Sequence, residues 1–105
     1  MKIAFATIRL KATKEGGKSK PIGHGGDYSC PAFFKDVKAL SEHGYDCRLL
    51  LQRLGKSIYP GDTVRNVPMA FLSPDEVFLH LRVGVRFKLW EGGEIGEGEI
   101  TEIPE

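Results

Sequence analysis

The chain has 105 residues, 41% of them hydrophobic, which suffices for one packed core and argues against a disordered segment. A net charge of +1 excludes binding to nucleic acid through bulk charge alone. No apolar run is long enough to span a bilayer, the N-terminus does not read as a signal peptide, and two cysteines, Cys30 and Cys47, make no disulfide framework, so the expected compartment is cytoplasmic.

In chain order, the first expected element is a strand over residues 3–12, with Ala4, Ala6, Ile8 and Leu10 on one face and Thr7, Arg9 and Lys11 on the other. Residues 15–21 and 23–27 break it with Gly16-Gly17, Pro21 and Gly25-Gly26, giving a long glycine-rich connection of the kind that often carries binding residues. A strand follows around residues 32–34. Residues 35–43 are ambiguous between a short helix and a long loop, because Phe34, Val37 and Leu40 recur every three positions. Residues 45–51 alternate again and read as a strand after Gly44.

Pro60-Gly61-Asp62 marks a turn, and residues 63–72 read as a strand that Pro68 interrupts or confines to an edge. Residues 73–75 turn again. Residues 77–90 carry the longest alternation, with Val77, Leu79, Leu81, Val83, Val85, Phe87 and Leu89 on one face. The other face would hold Phe78, His80, Arg82, Arg86, Lys88 and Trp90, with Gly84 marking a bend or bulge. Glu91-Gly92-Gly93-Glu94 is an expected hairpin into a closing strand, residues 95–103. Six short strands with frequent Gly/Pro turns predict one all-β domain over residues 1–105, a small antiparallel six-stranded barrel.

Few motifs suggest chemistry. Gly55-Lys56-Ser57 resembles the end of a phosphate loop, but position 50, where the motif needs its first glycine, is Leu50. His24, Cys30, His43 and Cys47 are zinc-type residues without the close pairs of structural sites, so no metal or cofactor is expected. Neither cysteine carries a signal for a lowered pKa, and the carboxylates crowd one solvated strand face, so an enzyme is not expected. Charge is uneven: the first strand and loop are basic, whereas the acids from Glu91 onward have no base among them. Arg82, Arg86, Lys88 and Trp90 could hold phosphates and stack a base, with Lys14, Lys18 and Lys20 as a second basic element. The same strand cations could instead pair with the acidic closing hairpin across the sheet.

Several landmarks stand in the order of a known family. Lys14-Glu15-Gly16-Gly17-Lys18 leads to Pro21; Pro31 introduces Phe33-Phe34; Pro60-Gly61-Asp62 precedes Val64-Arg65; and Arg86-Phe87-Lys88-Leu89 leads through Glu91-Gly92-Gly93 to Gly96 and Gly98. Together they resemble the C-terminal barrel domain of elongation factor Tu, over nearly the whole chain and as a stand-alone copy. The resemblance implies a β-barrel and a translation-linked binding module, gripping tRNA or another RNA, or a protein that recognises the factor. Trp90 and Glu94 stand where that family usually has basic residues, and residues 35–55 run longer. A second expectation is a decoy or immunity protein that neutralises a toxin or other ligand of the factor. An acidic edge on a +1 chain favours a protein partner over RNA.

Overall fold

The computed structural model describes residues 1–23 and 25–104. Six strands close into an antiparallel barrel: β1 (Ala4–Leu10), β2 (Tyr28–Phe33), β3 (Tyr45–Leu49), β4 (Thr63–Phe71), β5 (Arg86–Trp90) and β6 (Glu94–Glu102). Around the wall the order is β1-β4-β3-β2-β5-β6, returning to β1. Closure removes sheet edges, the usual hazard of small β proteins. Among the described residues no helix is long and apolar enough to cross a membrane.

Alternation decides what fills the interior. In β1 every second residue, Ala4, Ala6, Ile8 and Leu10, is buried. Cys30 and Ala32 of β2, Tyr45, Cys47 and Leu49 of β3, and Phe87 and Leu89 of β5 follow the same rule. Phe34, just past β2, is 1% exposed and plugs the barrel. Its ring lies 5.7 Å from Phe87, 5.9 Å from Phe71 and 6.4 Å from Tyr45, so one side chain meets three other strands.

β6 faces inward with Gly96, Gly98 and Ile100. Gly98 sits between Ile8 of β1 and Phe87 of β5, and the Phe87 ring fills the space a side chain would need. Pro68 lies inside β4 of a closed barrel, not on an edge. Its carbonyl accepts from Leu50 N–H, so its proline nitrogen faces the side where β3 has just ended and no ladder bond is lost.

Two expectations need correction. Residues 77–90 do not form one strand: Pro74–His80 is a helix and only Arg86–Trp90 is strand. Ser73-Pro74-Asp75-Glu76 is a helix start, with proline in the first turn and two acids at its positive end. Val77 and Leu81 are buried four residues apart, Phe78 meets Phe71 edge-on at 5.8 Å, and Leu79 and Val83 are exposed. The alternation through this segment was shared with a helical pattern, and proline at the first turn selected the helix. Gly84, at φ 96°, makes the turn into β5. Residues 45–51 likewise split: β3 stops at Leu49 and a one-turn helix, Leu51–Leu54, ends on Gly55 at φ 82°. The ambiguous residues 35–43 hold a single 3₁₀ turn, Lys38–Leu40.

A Cβ on Gly98 would stand 2.4 Å from the Phe87 ring and 2.8 Å from Ile8. Gly98→Ala is expected to lower stability by about 1–3 kcal/mol through overpacking. Urea denaturation should show a lower midpoint at unchanged slope. Gly26→Ala, whose new Cβ meets nothing within 4 Å, should show no loss.

Candidate functional site

The outward face of β6 carries Glu97, Glu99 and Thr101. Register sets their neighbours. Glu97 lies between Arg9 of β1 and Lys88 of β5, and Glu99 between Thr7 and Arg86. Lys88 Nζ reaches Glu97 at 2.9 Å and Glu94 at 3.4 Å, and Arg86 Nε reaches Glu99 at 3.3 Å. Arg9 turns to Glu15 at 2.9 Å, and that carboxylate also accepts the Ala12 backbone N–H. The hydrogen bond from Lys88 holds the Glu97 carboxyl below its usual titration range, and Glu97 in turn raises Lys88. The bond from Arg9, then that from Ala12, lowers Glu15.

The loop lysines divide. Lys18 binds Glu91 of the β5–β6 hairpin at 2.9 Å, and the Tyr28 hydroxyl donates to the same carboxylate. Lys18 also lies 5.7 Å over the Tyr28 ring. Lys14, in a 3₁₀ turn at Thr13–Glu15, and Lys20 are exposed and make no ion pair among the described residues. Arg82 is not on the sheet. It follows the helix Pro74–His80, and its guanidinium donates to the Leu81 carbonyl at 2.7 Å and the Leu79 carbonyl at 3.4 Å. Trp90 is 42% exposed at the end of β5, edge-on to Phe33 at 5.6 Å. Of the seven residues expected to bind a macromolecule, the sheet thus brings together Arg86, Lys88 and Trp90, with Lys18 joined through Glu91.

Four cations, Arg9, Lys18, Arg86 and Lys88, face five carboxylates, Glu15, Glu91, Glu94, Glu97 and Glu99. Within these pairs carboxylates outnumber cations by one, with Arg65 and Lys11 close by. Beside the pairs runs an open polar groove of about 670 Å³ lined by Thr7, Thr63, Arg65, Asn66, Arg86, Glu97, Glu99 and Thr101. Here β4 has a bulge: Ala6 pairs with Val67 and Ile8 with Val64, so Arg65 and Asn66 together oppose Thr7. Asn66 takes φ 59°, the left-handed region that asparagine tolerates better than most residues. The bulge turns both side chains toward the groove, a feature that sequence reading missed because asparagine inside a strand gives only a weak signal.

Among the described residues no three His, Cys, Asp or Glu side chains gather to hold a metal. His24 lies outside the described residues. Cys30 and Cys47 face each other across β2 and β3 with free thiols. His43 stacks against Tyr45 at 4.3 Å. Burial, then the hydrogen bond to Glu76, raises the Tyr45 hydroxyl. Gly55 of Gly55-Lys56-Ser57 caps the one-turn helix, its N–H donating to the Leu51 carbonyl.

No family model matches this chain, and no curated protein matches it.

Because the folded-state Glu97 is depressed, its stabilisation is present above its unfolded pKa and fades as pH falls through the folded one. Lys88→Met should move the Glu97 midpoint up toward the ordinary carboxylate range, as read by carboxyl-carbon NMR. The loss of stability at neutral pH should stay below about 1 kcal/mol, because the pair is exposed.

Proposed function

We propose that the chain is a non-catalytic binding module of the elongation factor Tu C-terminal barrel type, and that its partner is a protein. One observation carries the choice of protein over RNA: the β5 cations Arg86 and Lys88 are already held by carboxylates of β6. A phosphate backbone approaching Arg86 and Lys88 would have to displace Glu94, Glu97 and Glu99 and then lie beside their negative charge. The release of counterions condensed on the phosphates, a large source of nucleic-acid affinity, is thereby diminished. A protein surface with charges of both signs can pair with the ladder as it stands. Trp90 offers an amphipathic contact beside it, and the groove at Arg65 and Asn66 offers donors. The closed six-stranded barrel and the turns at Pro60–Asp62 and Glu91–Gly93 support the elongation-factor reading. A translation-linked role follows from that reading: the partner would be a protein that otherwise recognises the factor.

The test has two arms. Fluorescence anisotropy with tRNA should show weak binding at physiological salt, and simultaneous Glu94→Gln, Glu97→Gln and Glu99→Gln should strengthen it by freeing Lys88 and Arg86. Capture from lysate should survive nuclease treatment and be lost in Arg86→Glu. Tight tRNA binding by the unaltered protein, falling steeply with salt, would overturn the choice of a protein partner.

A further inference from the structure

The two cysteines, seventeen positions apart in sequence, are direct Cα partners in the β2–β3 ladder. The Asp46 carbonyl accepts from Leu72 N–H at 3.0 Å, so Asp46 turns its backbone groups to β4. Cys47, the next residue, turns its own to β2. Cys30 and Cys47 therefore occupy a hydrogen-bonded position of the ladder, where Cα atoms are about 5.5 Å apart. That lies within the roughly 4.4–6.8 Å that a disulfide spans. Both side chains point inward and are buried. No charged side chain is buried with them among the described residues.

We propose that Cys30 and Cys47 are an oxidation site, at which hydrogen peroxide converts the reduced pair into a disulfide stapling β2 to β3. Cys30 is the attacking sulfur. It is the less buried of the two, 6% exposed against 2%, and it lies beside the short β2–β5 ladder through which peroxide would enter. The Cys30 thiolate attacks one peroxide oxygen; the O–O bond breaks, and the departing hydroxide takes a proton to leave as water. Cys30 is then a sulfenic acid. The Cys47 sulfur attacks the Cys30 sulfur, the S–S bond forms and the S–O bond breaks, and the leaving hydroxide takes the Cys47 proton as a second water. Two thiols lose two electrons in all, and one peroxide becomes two waters.

Peroxide is small enough to enter where the wall is thinly laddered. β2 pairs with β5 through only two positions, Ala32 with Leu89 and Phe33 with Lys88. Pro31, which has no N–H, stands next to Cys30 on that side of β2. Local opening of this seam exposes Cys30 without unfolding the barrel.

The folded protein is treated with hydrogen peroxide, quenched, unfolded in denaturant and alkylated, and its intact mass is measured. The expected product has lost two hydrogens, takes up no alkyl group, and regains both thiols with dithiothreitol. Cys47→Ala should accumulate a dimedone-reactive sulfenic acid at Cys30, and Cys30→Ala should react several-fold more slowly. Wild-type protein that keeps two alkylatable thiols, or gains oxygen atoms without losing two hydrogens, would overturn the site. Equal reaction rates in the two variants would overturn the assignment of Cys30 as the attacking sulfur. Circular dichroism on each variant excludes unfolding as the cause of either result.

Discussion

The barrel depends on how its interior is filled by a few rings. Six short strands enclose little volume, and Phe34, Phe71, Phe87 and Tyr45 occupy much of it. Large rings leave room only for small residues opposite, which is why Gly98 lies beneath Phe87 and why Ala4, Ala6 and Ala32 serve as inward positions on their strands. Phe34 does more than fill space. It lies outside regular strand yet contacts rings from β3, β4 and β5, the arc where ladders are shortest. Packing there compensates for the scarcity of hydrogen-bonded register pairs.

Closure also fixes the exterior. Once Gly96, Gly98 and Ile100 face inward, Glu97, Glu99 and Thr101 must face outward, and register sets Glu97 between Arg9 and Lys88. The charge ladder is thus a consequence of the same alternation that builds the core. Each exposed pair contributes little to stability, about 0.2–1 kcal/mol. Under the proposed function its larger effect is on recognition, because a paired lysine beside glutamates presents a field of both signs.

Much of this was legible. β1 could be read from strict alternation, β4 and β6 from the turns at Pro60–Asp62 and Glu91–Glu94 that precede them, and the six-stranded barrel from the spacing of the turns. Pairing between the strand cations and the acidic hairpin was one of two open readings, and Lys88 with Glu97 and Arg86 with Glu99 realise it. Other features had no local signal. That Cys30 opposes Cys47 depends on the β2–β3 register, which the sequence between them does not reveal. The β4 bulge at Asn66 depends on counting residues against a partner strand, information that a single strand lacks. Lys18 with Glu91 joins residues far apart in sequence across the end of the barrel.

The misread segment bears most on function. A continuous strand over residues 77–90 would have lined up His80, Arg82, Arg86 and Lys88 with Trp90 as one basic strip. The helix Pro74–His80 removes His80 from the sheet, and Arg82 spends its donors on the carbonyls of Leu79 and Leu81. Two cations remain on β5, and both face glutamates of β6. An RNA reading needed the length of that strip to track successive phosphates. With the strip shortened to two paired residues the face alternates in sign, so a helix of seven residues moves the proposed choice of partner from RNA toward protein.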